Sequence, residues 1–259
     1  DVTLWHLTPN FTTDKNGWQL DLDFVGEHLR PNTRAIVINS PHNPTGFLTG
    51  RSLLDALVQL AETNDLLIFS DEVYRGLEYD AADRNPALCD LTEQAVSLGV
   101  MSKTYGLAGL RIGWIATRNR TIYEAMAVFK DYTTICSSAP SELLATIALR
   151  QADQIVKRNL TLIEQNLDLL DPFFEKYAEL FDWCRPAAGA IAFPRLSNGQ
   201  MAEPFCERLV KEAGVLLLPG HLFDPVYASH FRIGFARRNM PEALEHLDQF
   251  LTEHPLATG

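Results

Sequence analysis

Two rhythms alternate along this chain: short unbroken apolar runs, and stripes of apolar residues repeating every three or four positions. The runs at residues 34–39 (Arg-Ala-Ile-Val-Ile-Asn), 66–70 (Leu-Leu-Ile-Phe-Ser) and 96–101 (Val-Ser-Leu-Gly-Val-Met) predict strands, and the first is apolar enough to predict a parallel strand covered on both faces. Between the first two, Leu53, Leu54, Leu57 and Leu60 form one stripe of a helix over 52–63. The order strand, helix, strand, loop, strand predicts an α/β domain with a mostly parallel sheet. A fourth strand is expected at 111–117, followed by helices at 120–130 and, opened by Ser137-Ser138-Ala139-Pro140-Ser141-Glu142, up to Arg150. Ahead of this block, residues 1–33 predict a short strand at 2–5, a loop over 9–17 and a helix over 21–29 that ends at Pro31-Asn32.

Past residue 150 the pattern changes. Apolar residues at 156, 160, 163, 167, 170 and 174 predict one long helix over 152–179, with a kink or break just before Pro172. Long helices of this kind often join two domains. The later elements are short: a strand at 188–195, a helix at 203–213, a short apolar element at 215–218, a turn at Pro219-Gly220, a strand at 230–236 and a last helix at 241–252. The expected organisation is a large α/β domain over 1–165 and a smaller α+β domain over 166–259.

Composition narrows the function. A formal charge of −11 on 259 residues argues against a nucleic-acid partner, which calls for a clustered basic surface. Cysteines at 89, 136, 184 and 206 lack the spacing of a zinc site or a disulfide framework, which points to reduced thiols in a cytoplasmic protein. No apolar run reaches membrane-spanning length, and the opening Asp1-Val2-Thr3 does not resemble a signal peptide. It enters strand-like sequence without an initiating methionine, so residues in front of it are expected.

The ends of the three central strands carry the chemistry. They deliver Asn43, then Asp71 with Tyr74, then Ser102 with Lys103, at the edge where open α/β sheets place ligands. An amine on a short turn beside an apolar wall is expected to be desolvated, and a neutral amine attacks an aldehyde. Taken singly, each residue has an ordinary explanation: a surface lysine, a turn aspartate, an Asx-turn asparagine, a core tyrosine, an ion-paired arginine. Together they supply what pyridoxal phosphate requires. Lys103 is the candidate for its aldehyde and Asp71 for its pyridine nitrogen; Tyr74 and Asn43 could donate to its phenolate oxygen; Ser102 and Arg111 could hold its phosphate. No second metal-ligand residue type stands at ligand spacing from His42, which reads as a loop histidine, and Gly106, Gly109 and Gly113 do not form a dinucleotide fingerprint.

Three ordered blocks carry a family resemblance: Ser-Pro-His-Asn-Pro-Thr-Gly at 40–46, Ser-Asp-Glu-Val-Tyr at 70–74 and Ser-Lys-Thr-Tyr-Gly-Leu-Ala-Gly-Leu-Arg-Ile-Gly at 102–113. The chain resembles the class I/II pyridoxal-phosphate-dependent aminotransferases of fold type I. The resemblance implies that Lys103 is the Schiff-base lysine and Asp71 the pyridinium partner. It further implies that Tyr74 and Asn43 bind the phenolate oxygen, Arg111 binds the phosphate and Arg232 the substrate α-carboxylate. Where many members carry a hydroxyl or glycine three residues before the lysine, this chain has Val100, which leaves the phosphate to Ser102 and Arg111. Members usually carry a further N-terminal stretch holding a phosphate-cupping helix and a ring that stacks on the cofactor. The implied activity moves an amino group between an amino acid and a 2-oxo acid, in a homodimer when complete, with no metal. β-Elimination, oxidation by oxygen and a non-catalytic regulator domain are the alternatives.

Overall fold

The computed structural model describes residues 1–11 and 17–254. In chain order the elements are β1 (Thr8–Pro9), β2 (Trp18–Gln19), α1 (Leu22–His28), β3 (Ala35–Asn39), α2 (Arg51–Thr63), β4 (Leu67–Asp71) and α3 (Leu88–Leu91). Next come β5 (Ala95–Val100), β6 (Gly113–Ala116), α4 (Arg120–Thr133), α5 (Ala139–Leu149) and α6 (Ala152–Lys176). The chain finishes with β7 (Phe181–Asp182), β8 (Ile191–Ala192), β9 (Arg195–Leu196), α7 (Ala202–Glu212), β10 (Leu218–Pro219), β11 (Phe231–Gly234) and α8 (Met240–Glu253). Two compact units emerge. The first holds residues 1–7, 20–42 and 48–159; the second holds 8–19, 43–47 and 160–259.

The first unit is built on a four-stranded sheet ordered β3-β4-β5-β6, parallel except for the β5–β6 pair. Ile36, Ile38 and Ile68 meet Leu54, Leu57 and Ala61 of α2 in its principal core, because alternate strand residues face the helix stripe. Asp21 caps α1 by accepting from the Asp23 amide at 3.0 Å. Two expectations are corrected here. Residues 2–5 form no strand: Val2 and Leu4 are exposed, and only Trp5 is anchored, donating Nε1 to the Asp21 carbonyl at 2.7 Å. Among the described residues β3 is an edge strand covered on one face only, with Val37 70% exposed, so its apolar run is not matched by cover on both sides.

The second unit has small sheets, β10-β11-β8, β7-β9 and the β1-β2 pair, around an aromatic core. Trp18, Phe174, Phe193, Phe231 and Phe235 are all fully buried. The expected strand at 188–195 is in fact two two-residue strands, β8 and β9, split by a two-residue break at which Phe193 is buried in the core. Nor does the chain break at Pro172, since α6 runs through it to Lys176. An interior proline costs about 3 kcal/mol, and burial of Leu170, Phe173 and Phe174 on either side offsets that order of energy. Inside this unit the buried amide of Asn166 donates to the carbonyls of Phe235 and Arg237, fixing the chain just past β11. The 9–17 loop lies mostly outside the described residues.

Candidate active site

In the first unit, parallel β4 and β5 end on the same edge, which is why Asp71 and the Lys103 turn emerge together. Asp71 is the last residue of β4, and its carbonyl accepts from the Ser40 amide at 3.1 Å and from Asn39 Nδ2 at 2.9 Å. Its Oδ1 accepts from the Val73 amide at 3.2 Å. Burial pushes the Asp71 carboxyl above its ordinary value, opposed by that amide and by the Lys103 charge. Tyr74 is 6% exposed, and the Lys103 ammonium sits 5.7 Å from its ring centroid. Carboxylate, phenol and amine thus form one cluster within this unit.

Lys103 itself sits in the 101–112 connection between antiparallel β5 and β6, closed by Gly106 N–H to Lys103 O at 2.9 Å and Leu107 N–H to Met101 O at 2.9 Å. Its side chain is exposed, so the expected apolar wall is absent among the described residues. Arg111 also differs from expectation. The strand begins at Gly113, and Arg111 occupies a left-handed position (φ 52°), exposed, with Nη1 donating to the Ala108 carbonyl at 2.8 Å. Ser102 is half-buried in the same connection.

The other two predicted residues meet inside the second unit. Half-buried Arg232 lies on β11 opposite Leu218 of β10, and its Nη1 donates to Asn43 Oδ1 at 3.2 Å. Its guanidinium carbon stands 5.5 Å from the Phe223 ring centroid. A guanidinium held on one edge by an amide and on its face by a ring keeps donors for a carboxylate. Sequence reading missed Phe223, because nothing in its spacing sets it apart from a core phenylalanine. It also missed His230, buried beside Trp18, Phe193 and Tyr227 in the same unit. Burial brings the His230 imidazole down to about 4, and His42 of the first unit reaches about 4 for the same reason. Among the described residues no His, Cys, Asp and Glu cluster could hold a metal ion, and no helix is long and apolar enough to cross a membrane. All four cysteines are free thiols.

With this geometry in hand, comparison with known proteins settles the family. Residues 6–249 match the family described as aminotransferase class I and II, and the chain belongs to it. Capreomycidine synthase from Streptomyces vinaceus is 30% identical over 96% of this chain and 62% of its own length. Aromatic-amino-acid aminotransferase 2 from Thermococcus litoralis is 29% identical over 95% of this chain and 64% of its own length. Among solved structures, a PLP-dependent aminotransferase from Streptococcus suis superposes with a TM-score of 0.85 at 34% identity, covering 95% of this chain and 64% of that one. The fold is therefore that of the pyridoxal-phosphate-dependent aminotransferases of fold type I. This chain spans a little under two thirds of the length of the relatives it matches. The family's cofactor is pyridoxal 5′-phosphate, and the donor set suits it: an amine, a partly buried carboxylate and a phenol in one cluster.

Proposed function

We propose that this chain belongs to an aminotransferase that moves an amino group between an amino acid and a 2-oxo acid. The observation that carries the reading is the convergence of Lys103, Asp71 and Tyr74 within the first unit. Pyridoxal phosphate, when bound, supplies an aldehyde for the amino group and a ring that accepts the electrons left on the α-carbon. With the cofactor bound, Lys103 would hold its aldehyde carbon, and the Lys103 amine would take the substrate's α-proton. Asp71 would keep the pyridine nitrogen protonated. Tyr74 and Asn43 would donate toward the phenolate oxygen, and Ser102 and Arg111 would hold the phosphate. Arg232 takes the substrate α-carboxylate, a role supported by its fixed guanidinium. In this reading residues 1–165 belong to the cofactor-binding domain and 166–259 form the small domain.

A second reading keeps the cofactor and changes the product, and the 30% identical synthase is what favours it. The homodimer and cytoplasmic location belong to the proposal as well. The exposed apolar face of α4 and α5, with Phe129, Tyr132, Leu143 and Ile147, supports a partner surface.

The test is an absorbance spectrum with added pyridoxal phosphate for wild type and Lys103→Ala, followed by a pool of amino acids. The reading predicts a visible band that requires Lys103 and bleaches with amino acids, releasing 2-oxo acid. Bleaching without 2-oxo acid would select the second reading, and a band indifferent to Lys103 would sink both.

A further inference from the structure

Among the described residues no hydrogen bond to a neighbouring side chain fixes the Lys103 amine, so its place beside Tyr74 is set by backbone. The backbone is held at the next residue. Thr104 is 3% exposed, and its Oγ1 lies 3.1 Å from the Val73 carbonyl and 2.9 Å from the Arg75 carbonyl. Those are the carbonyls on either side of Tyr74. The single hydroxyl proton, shared between two acceptors, ties the lysine turn to the loop that carries the ring it must face. The methyl group of Thr104 is seated as firmly: a side chain at Gly76, whose φ is +98°, would come within 3.0 Å of Thr104 Cγ2. A third contact acts from α6, where Asn159 Nδ2 donates to the Thr104 carbonyl at 2.9 Å. The orientation of that amide is fixed, because its Oδ1 accepts from Arg158 Nε at 3.2 Å and Nη2 at 3.1 Å, and arginine can only donate.

We propose that Thr104, braced by Asn159, is a positioning residue that sets Lys103 in register with Tyr74 and Asp71. This rests on the reading of Lys103 as the reacting amine. The tie to the Val73 and Arg75 carbonyls runs through the hydroxyl, so the isosteric Thr104→Val loses the register while Thr104→Ser keeps it. Displacing a reacting group by about 1 Å costs on the order of a hundredfold in rate, so Thr104→Val is expected to lower kcat by roughly 10- to 100-fold with KM little changed. Thr104→Ser restores most of the rate.

The experiment pairs two readouts on wild type, Thr104→Val, Thr104→Ser and Asn159→Ala. With pyridoxal phosphate, the wavelength and pH midpoint of the Lys103-dependent band are measured. Without it, the acetylation rate of Lys103 by acetic anhydride is compared, by peptide mass, with that of Lys157 and Lys211 in the same chain. Support is a changed band and a changed relative acetylation rate in Thr104→Val, restored in Thr104→Ser, with a smaller change of the same kind in Asn159→Ala. If Thr104→Val does not fold, Asn159→Ala carries the test. A folded Thr104→Val, or in its place Asn159→Ala, that acetylates and absorbs as wild type does would overturn the proposal. If wild type shows no Lys103-dependent band while acetylation still responds to Thr104, the cofactor reading falls and the positioning role stands.

Discussion

The two units carry different parts of the proposed chemistry and hold them by different means. The second unit presents Asn43 and Arg232 from a closed aromatic core in which Trp18, Phe193, Phe231 and Phe235 are fully buried. The first unit presents Asp71, Tyr74 and Lys103 from a sheet edge, and much of its apolar surface is open. Val37, Phe129, Tyr132, Ile135 and Leu143 are all more than 60% exposed, and α4 buries no residue at all. The lesson is that the Arg232 site is positioned by packing, whereas the Lys103 site is positioned by hydrogen bonds between two loops.

The largest effect that would test this contrast is Phe193→Ala. It should destabilise the second unit by about 3–5 kcal/mol, read as a lowered denaturant midpoint. Next comes pH. His230 lies buried with neither ring nitrogen hydrogen-bonded among the described residues, and burial, reinforced by Arg195 and opposed by Asp182, holds it at about 4. An unfolded chain takes up that proton near 6.5, so it binds more protons than the folded one between those values. Stability should therefore be full above pH 6.5 and fall by roughly 2–3 kcal/mol toward pH 4. His230→Phe should flatten that slope in part, leaving the share owed to His42, which is lowered in the same way. An unchanged slope would mean that His230 is not the neutral core residue described.

Glycine substitutions sharpen the comparison. A side chain at Gly220 would meet the Tyr227 carbonyl oxygen at 2.2 Å and that of His230 at 2.7 Å, backbone atoms that cannot step aside. One at Gly99 would meet the Trp114 ring at 2.5 Å, but that ring is 40% exposed at the sheet edge and can swing away. Gly220→Ala should cost about 2–3 kcal/mol and Gly99→Ala about 1 kcal/mol by urea unfolding. Smallest of all within a single copy of the chain, Phe129→Ala on α4 should change stability by less than about 0.5 kcal/mol, because its 66% exposed ring buries little unless the proposed partner covers it. A loss comparable to that of Phe193→Ala would show that α4 is covered in solution.

Much of this was legible in the residues. Strands β3, β4 and β5 and the polar groups at their ends follow from unbroken apolar runs that stop at Ser40, Asp71 and Met101. The stripe through Ile163, Leu167, Leu170 and Phe174 foretold α6. What failed did so for physical reasons. Residues 2–5 look like a strand, yet a strand exists only where a neighbour pairs it. Pro172 can break or kink a helix by local rule; the break did not occur, because packing on both sides of it keeps α6 continuous. The apolar run of β3 implies cover on two faces, and the described residues supply one. The bracing of Lys103 was invisible because Thr104 and Asn159 are far apart in sequence and are ordinary residue types.

The most direct test of the central claim is to map where the cofactor attaches. The chain would be incubated with pyridoxal phosphate, reduced with borohydride, digested and sequenced by mass. The account predicts a single phosphopyridoxyl adduct on Lys103, lost in Lys103→Ala. An adduct concentrated on another lysine, such as Lys130 or Lys157, or spread evenly over all of them, would contradict it.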